Sequence, residues 1–374
     1  MMVFILAVPA SAMPTIETAA RHAILIDTTT GAILLEKDAD VPMPPASMSK
    51  IMTAFMVFER LSEGRLSLTD VLTVSENAWR KGGAASGGST MFLEPNSQVT
   101  VEDLLRGVIV QSGNDASIVL AEGLAGSEAG FAAEMTVRAR ELGLIDSTFR
   151  NATGLPDPEH RMSARDIARV AQRIIEGFPQ FYQYYSETEF TYNGIRQGNR
   201  NPLLYRDVGA DGLKTGFTRE SGYGLAASAR QGDRRLILVV NGLESARQRT
   251  QETERLMSWG FREFENYQLA TEGEAIAEAE VWLGTARKVP LVGEHGLVVT
   301  LPRVARPEMT VAVRYDGPVP APIERGQQIG TMVVRAPGVP DAEIPLLAGE
   351  SVERLGLFRR LFAALTHYLM SQIS

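Results

Sequence analysis

From Met48 to Leu61 the chain contains neither proline nor glycine, and its apolar residues recur so as to cover one helical face. Such a segment reads as a buried helix, and a buried helix needs a folded body around it. Pro42, Pro44 and Pro45 break the chain just before it. Ser47 is thereby placed at the N-cap or in the first turn, where a serine side chain can bond to unpaired backbone N–H groups. The remaining chain is long enough to supply that body. Its 374 residues exceed one average domain and suggest two, and a hydrophobic fraction of 44% is sufficient for a sizeable core.

The elements expected around that helix follow from pattern. His22 to Glu36 has two apolar runs about a turn-like Asp27-Thr28-Thr29-Thr30-Gly31 and reads as a hairpin. Helices are expected over Val101 to Ile109, Asp115 to Leu124, Phe131 to Leu142 and Ser163 to Glu176, the last with a serine N-cap. Gln111 to Asn114 reads as a turn. Gly222 to Ala229 and Arg235 to Asn241 read as paired strands, and Arg249 to Phe264 as a helix. Beyond a boundary near Leu269, alternating segments such as Ala279 to Leu283, Leu297 to Leu301, Thr310 to Arg314 and Gly330 to Val334 predict a small all-β domain. The domains expected are therefore 21–268 and 269–350.

Both ends carry a further expectation. Residues 1–12 hold an apolar run followed by Ala10-Ser11-Ala12, the pattern of a signal peptide with a shortened start. Residues 351–374 read as an amphipathic helix. At 100° per residue Leu355, Leu357, Phe358, Leu361, Phe362, Leu365, Tyr368, Leu369 and Ile373 fall in one arc, with Arg359 and Arg360 opposite. A helix of this kind lies in a membrane interface and does not span it.

Composition removes several function classes. A net charge of -8 argues against nucleic acid as a partner, because phosphate binding needs a basic face. The absence of cysteine removes disulfides and thiolate chemistry. Four scattered histidines, His22, His160, His295 and His367, give no metal-binding spacing, so neither a metal nor another cofactor is expected. His160 follows Pro158-Glu159 and reads as a surface histidine. Gly82 to Gly88 lacks the Gly-Lys-Ser/Thr ending of a phosphate loop and reads as a flexible loop beside a cleft.

Three short signatures carry the chemistry, each once and in this order: Ser47-Met48-Ser49-Lys50, Ser112-Gly113-Asn114 and Lys214-Thr215-Gly216. A serine hydroxyl is a poor nucleophile until a base takes its proton. Ser47 and Lys50, at i and i+3, share a helix face, so Lys50 is a candidate base. It must be neutral to act, although a free lysine titrates near 10.4. Burial and a second cation both lower that value, and Lys214 is the candidate cation. The N-terminus of the helix offers N–H groups for an oxyanion hole. The intervals between the signatures leave room for an all-helical insert between two strands.

With their flanks these residues resemble the low-molecular-mass penicillin-binding proteins of the D-alanyl-D-alanine carboxypeptidase family. The resemblance rests on Pro45 to Thr53, Ser75 to Trp79, Met91 to Leu93, Gln111 to Ala116, Gly212 to Thr218 and Trp259 to Phe261. It covers about 21–267 and, more loosely, the β-rich part. It implies an α+β fold of the penicillin-binding and β-lactamase type: an antiparallel sheet flanked by helices, with a helical lobe. It further implies that Ser47 is acylated, that Lys50 is its base and that Ser112 relays a proton to the leaving D-alanine. Asn114 would bond the substrate amide. Lys214 and Thr215, helped by Arg249, would hold the terminal carboxylate, and the N–H groups of Ser47 and Phe217 would form the oxyanion hole. Several relatives have histidine where this chain has Phe217.

The activity so implied is removal of the terminal D-alanine from peptidoglycan stem pentapeptides, with β-lactam antibiotics as covalent inhibitors. The implied place is the periplasm, on the outer face of the cytoplasmic membrane through the C-terminal helix. The rivals are a DD-endopeptidase, a β-lactamase and a non-catalytic peptidoglycan-binding scaffold. A β-lactamase of the related type needs a Glu-x-x-Leu-Asn segment, and none stands between Asn114 and Lys214; Glu134, Glu141 and Glu159 lack that context.

Overall fold

A computed structural model describes residues 15–356. Its first strands, β1 (His22–Asp27) and β2 (Ile33–Lys37), form the expected hairpin, closed through Gly31 at a φ of 72°. Next comes α1 (Lys50–Ser62), buried on every side from Lys50 to Phe58. A helix apolar all round belongs in a core, and this one is the axis of a helical lobe. The segments β3 (Val71–Thr73), α2 (Glu76–Gly82), β4 (Gln98–Thr100), α3 (Val101–Arg106), α4 (Asn114–Ala125), α5 (Glu128–Glu141), α6 (Ala164–Gly177) and α7 (Pro179–Tyr182) complete that lobe. Ser75, Thr100, Ser127 and Ser163 cap α2, α3, α5 and α6, each accepting from the N–H three residues on. Such a cap stabilises a helix by about 1 kcal/mol.

A small hairpin, β5 (Glu189–Tyr192) with β6 (Ile195–Gly198), precedes three long strands: β7 (Ala210–Thr218), β8 (Gly222–Gln231) and β9 (Arg234–Leu243). The sheet order is β2-β1-β9-β8-β7, antiparallel throughout. The helical lobe is thus inserted between β2 and β7. Alternation along the strands divides the sheet's two faces. Ile24, Ile26, Ile237 and Val239 join the core of the lobe. Leu25 and Leu236 point the other way, onto Gly260 of α8 (Ala246–Glu263).

Compact units divide after Arg262. The second contains only strands and one short 3-10 turn among its described residues: β10 (Phe264–Ala270), β11 (Ala277–Trp282), β12 (Lys288–Val292), β13 (Leu297–Pro302), β14 (Thr310–Tyr315), β15 (Val319–Pro320), β16 (Gln328–Arg335) and β17 (Ala342–Ala348). Six of them make a sheet in the order β14-β16-β17-β12-β11-β15, and β10 pairs with β13. Their inward residues, among them Val289, Leu291, Val299, Met332, Val334 and Leu346, form a core of their own.

Three expectations are corrected. Of the two places expected for Ser47 the N-cap is overturned and the first turn holds: it lies in a 3-10 turn, Ala46–Ser49, that leads into α1, and its side chain caps nothing. His160 is not on the surface but 2% exposed, its ring edge-on to Phe149. The expected C-terminal helix does not begin at residue 351. Val352 and Arg354 bridge to Ile323 and Gly284 in extended backbone, and Val352 is part of the β core. The rest of that helix, and the expected signal peptide at 1–12, lie outside the described residues.

Candidate active site

The 3-10 turn lifts Ser47 to the floor of a cleft of about 680 Å³. Ser47, Ser112, Asn114, Thr215, Phe217 and Arg249 all line it, so the three signatures meet at one place. Local packing explains their glycines. A Cβ on Gly113 would stand 2.9 Å from the Asp115 carboxylate, and one on Gly216 would stand 2.9 Å from the Pro45 carbonyl oxygen. The third signature therefore lies directly against the turn that carries Ser47.

Lys50 is 1% exposed. Its amine lies 3.2 Å from Ser47 Oγ, donates to Asn114 Oδ1 at 2.8 Å and donates to the Thr153 carbonyl at 2.5 Å. Burial pulls its pKa down to about 7, and the charge of Arg200 adds to the shift; Asp115 and Glu128 oppose it. Sequence reasoning named Lys214 as the neighbouring cation. Lys214 is itself buried on β7 and depressed well below an ordinary lysine, first by desolvation and then by the charges of Lys50, Arg200 and Arg249.

Ser112 follows a π-helical turn, Gly107–Gln111, and stands in left-handed backbone with a φ of 68°. That conformation is costly for a residue with a Cβ. It leaves Ser112 Oγ buried and without a hydrogen-bond partner among the described residues. Asp115, fully buried, holds the adjoining wall. Its carboxylate accepts from Thr90 Oγ1 at 2.6 Å and from the N–H groups of Met91, Leu93 and Ala116 at 2.9–3.1 Å.

Two parts of the site escaped sequence reasoning. Arg200 lines the cleft and donates to Ser89 Oγ at 2.5 Å, in a segment with no motif around it. The loop from Asn151 to Leu155 supplies the Thr153 carbonyl. Asn151 Oδ1 accepts from the N–H groups of Thr153 and Gly154, and Thr53 Oγ1 on α1 donates to the Ala152 carbonyl at 2.8 Å. Gly154, at a φ of 78°, passes so close to Ala46 that a Cβ would overlap its carbonyl. The Asn-x-x-Gly pattern was the signal available, since both residues favour such turns. Glu134, Glu141 and Glu159 are paired with Arg60, Arg138 and Arg150 and do not line the cleft.

Among described residues no cluster of His, Cys, Asp or Glu could hold a metal ion. The chemistry available is a serine beside a depressed lysine, a free hydroxyl and a group of cations. Comparison with known proteins gives the lineage. The D-alanyl-D-alanine carboxypeptidase family profile matches residues 8–245, across all three signatures. The chain belongs to that family. The profile of the penicillin-binding protein 5 C-terminal domain matches 264–354. Within the family, the carboxypeptidase DacC of Escherichia coli is 42% identical over 347 residues, 92% of this chain and 86% of that protein. DacA of Haemophilus influenzae is 38% identical over 344 residues, 91% and 86% of the two chains. The crystal structure of penicillin binding protein 5 from Haemophilus influenzae superposes with a TM-score of 0.85 at 36% identity, covering 92% of this chain and all of that one. Penicillin-binding protein D2 of Listeria monocytogenes in its ampicillin-bound form matches with a TM-score of 0.57 at 32% identity, over 67% of this chain and all of that one.

Proposed function

We propose that this serine-type D-alanyl-D-alanine carboxypeptidase works through a Ser47 acyl-enzyme with Lys50 as its base. The observation that carries the reading is the set of three contacts around one buried amine. A neutral lysine has two N–H bonds and one lone pair. Asn114 Oδ1 and the Thr153 carbonyl accept the two N–H bonds, which leaves the lone pair for the Ser47 hydroxyl. Ser47 Oγ gives its proton to Lys50 and attacks the carbonyl of the penultimate D-alanine. The oxyanion rests on the N–H groups of Ser47 and Phe217. The C–N bond then breaks as Ser112 relays to the leaving amine the proton that Lys50 took from Ser47, and water later hydrolyses the ester, its proton returning to Ser47. Asn114 bonds the substrate amide. Lys214, Thr215 and Arg249 receive the terminal carboxylate, with Arg200 close enough to share that charge.

The substrate is the stem pentapeptide of peptidoglycan, and a β-lactam, whose strained amide mimics the scissile bond, acylates the same serine. Mass spectrometry tests both. The protein should shorten a pentapeptide by one D-alanine, and penicillin should add its mass to Ser47 but not to a Ser47→Ala variant. A variant that still labels stoichiometrically places the nucleophile elsewhere.

The substrate also sets the place of action, outside the cytoplasm in the periplasm. No helix among the described residues is long and apolar enough to cross a membrane. Attachment to the outer face of the cytoplasmic membrane would then fall to the residues after Gly356, whose apolar positions recur at helical spacing with Arg359 and Arg360 between them. Full-length protein should float with anionic liposomes and a chain ending at Gly356 should not. The cut belongs there because Val352 is a core residue. Equal partitioning of both chains removes the anchor.

A further inference from the structure

Beside the cleft three side chains form a layered stack. Phe217 on β7 and Tyr223 on β8 are partners in the strand register. Their rings lie 4.1 Å apart between centroids, inclined by 29°. The Arg249 guanidinium sits 5.8 Å from the centroid of Tyr223, within cation–π range. Tyr223 stands between two glycines on its strand, Gly222 and Gly224. Phe217 is half exposed and lines the cleft.

The backbone at Arg249 is well fixed. Ser245 caps the start of α8 by accepting from Gln248 N–H at 3.1 Å, and its carbonyl accepts from Arg249 N–H at 2.9 Å. The guanidinium has no such tether. Among the described residues no carboxylate pairs with it, and its buried Nε has no acceptor. What orients this cation is therefore the face of Tyr223. The Tyr223 ring is stacked in turn on Phe217.

We propose that Phe217 and Tyr223 are positioning residues which set the plane of the Arg249 guanidinium and so select acyl donors whose leaving group ends in a free carboxylate. The proposal rests on the reading of Arg249 as a carboxylate ligand. A planar guanidinium recognises a carboxylate by two parallel N–H bonds, which fail if its plane rotates. An acidic partner would also hold that plane, but it would neutralise the charge the substrate needs. A ring holds it and leaves the charge available. A histidine at position 217 would add a titratable group to the stack, whereas phenylalanine keeps the stack independent of pH.

The test compares two acyl donors that share an acyl-D-alanine: one leaving as D-alanine, the other as methanethiol, which has no carboxylate. With full-length protein, Phe217→Ala and Tyr223→Leu should lower kcat/KM for the D-alanine donor by about 3- to 10-fold, the scale of one aromatic or cation–π contact. In Tyr223→Leu, which leaves the oxyanion N–H of Phe217 in place, the thioester should lose less than about 2-fold by the same reckoning. Tyr223→Phe, which keeps the ring, should behave as wild type on both. Equal losses on the two donors in Tyr223→Leu, or an unaffected D-alanine donor in Phe217→Ala, overturn the proposal. Penicillin labelling of Ser47 separates the two levels. If wild-type protein does not label, the reading of the site fails and takes the stack with it. If all variants label to the same end point without a change in donor preference, the stack alone fails.

Discussion

Lys50 and Thr153 are 103 residues apart in the chain, and the amine of one donates to the carbonyl of the other at 2.5 Å. The base is therefore held by a loop as well as by its own helix. That loop is anchored to α1 a second time by Thr53, one turn further on. The two bonds join α1, the helix that carries the base, to the loop at the two carbonyls 152 and 153.

Acylation should fall as the pH drops through about 7, the value to which burial lowers Lys50. The sign follows from the chemistry: protonated Lys50 has no lone pair for the Ser47 proton. Lys50→Ala should retain the near-UV circular dichroism of the parent and lose about 10²–10⁴ in acylation rate. A stopped-flow pH profile of penicillin acylation reads both, and a variant that acylates at the parent rate refutes the assignment.

Arg200→Ala should move the acid limb of that profile to higher pH. The Arg200 charge disfavours a second positive charge on Lys50, so its removal raises the Lys50 pKa. The midpoint is the informative quantity, since the amplitude also reflects carboxylate binding. An unmoved midpoint would show that burial alone depresses Lys50.

Gly154→Ala should destabilise the catalytic unit by about 2–4 kcal/mol, combining left-handed strain with overpacking. The new methyl would meet the Ala46 carbonyl and stand 2.7 Å from Ser49 Oγ, directly behind the nucleophile. Urea denaturation gives the loss, and an unchanged midpoint would mean that the loop relaxes freely.

His160 should make the protein acid-sensitive. Burial lowers its pKa to about 4, and its Nδ1 accepts from the Arg150 N–H, so the fold favours the neutral ring. The folded value lies below the free value near 6.5. The stabilising contribution is therefore complete above pH 6.5 and is lost as pH falls toward 4, by about 3 kcal/mol in all. Unfolding measured at pH 7 and pH 4.5 should show a smaller difference for His160→Gln than for the parent. Equal differences would assign the acid sensitivity to other groups.

Much of this architecture was legible in sequence because it follows from periodicity. The run from Met48 to Leu61 could only be a buried helix, and β1, β2, β8, β9, β11, β13, β14 and β16 follow from alternation and turn residues. That Ser47, Ser112, Asn114 and Thr215 would share one cleft was legible because they belong to short motifs, and Phe217 and Arg249 joined them through the family resemblance. Thr153 was not, since its contribution is a carbonyl, which every residue possesses. Arg200 was not, since nothing local distinguishes an arginine in a cleft from one in solvent. The burial of His160 depends on Phe149 and on the turn between them, which composition does not encode. The extended backbone at Val352 was hidden because a helical wheel counts apolar residues without asking what covers them.

The sheet order has a consequence for how the molecule comes into being. β1 stands near the start of the unit and pairs along its whole length with β9, His22 opposite Asn241. The strand that carries Lys214 is joined to β1 only through β8 and β9. During synthesis or export from the N-terminus, Ser47 and Lys50 therefore emerge long before β9 can slot between β1 and β8. Until it does, the strand that bears Lys214 and Thr215 is not yet joined through the sheet to β1.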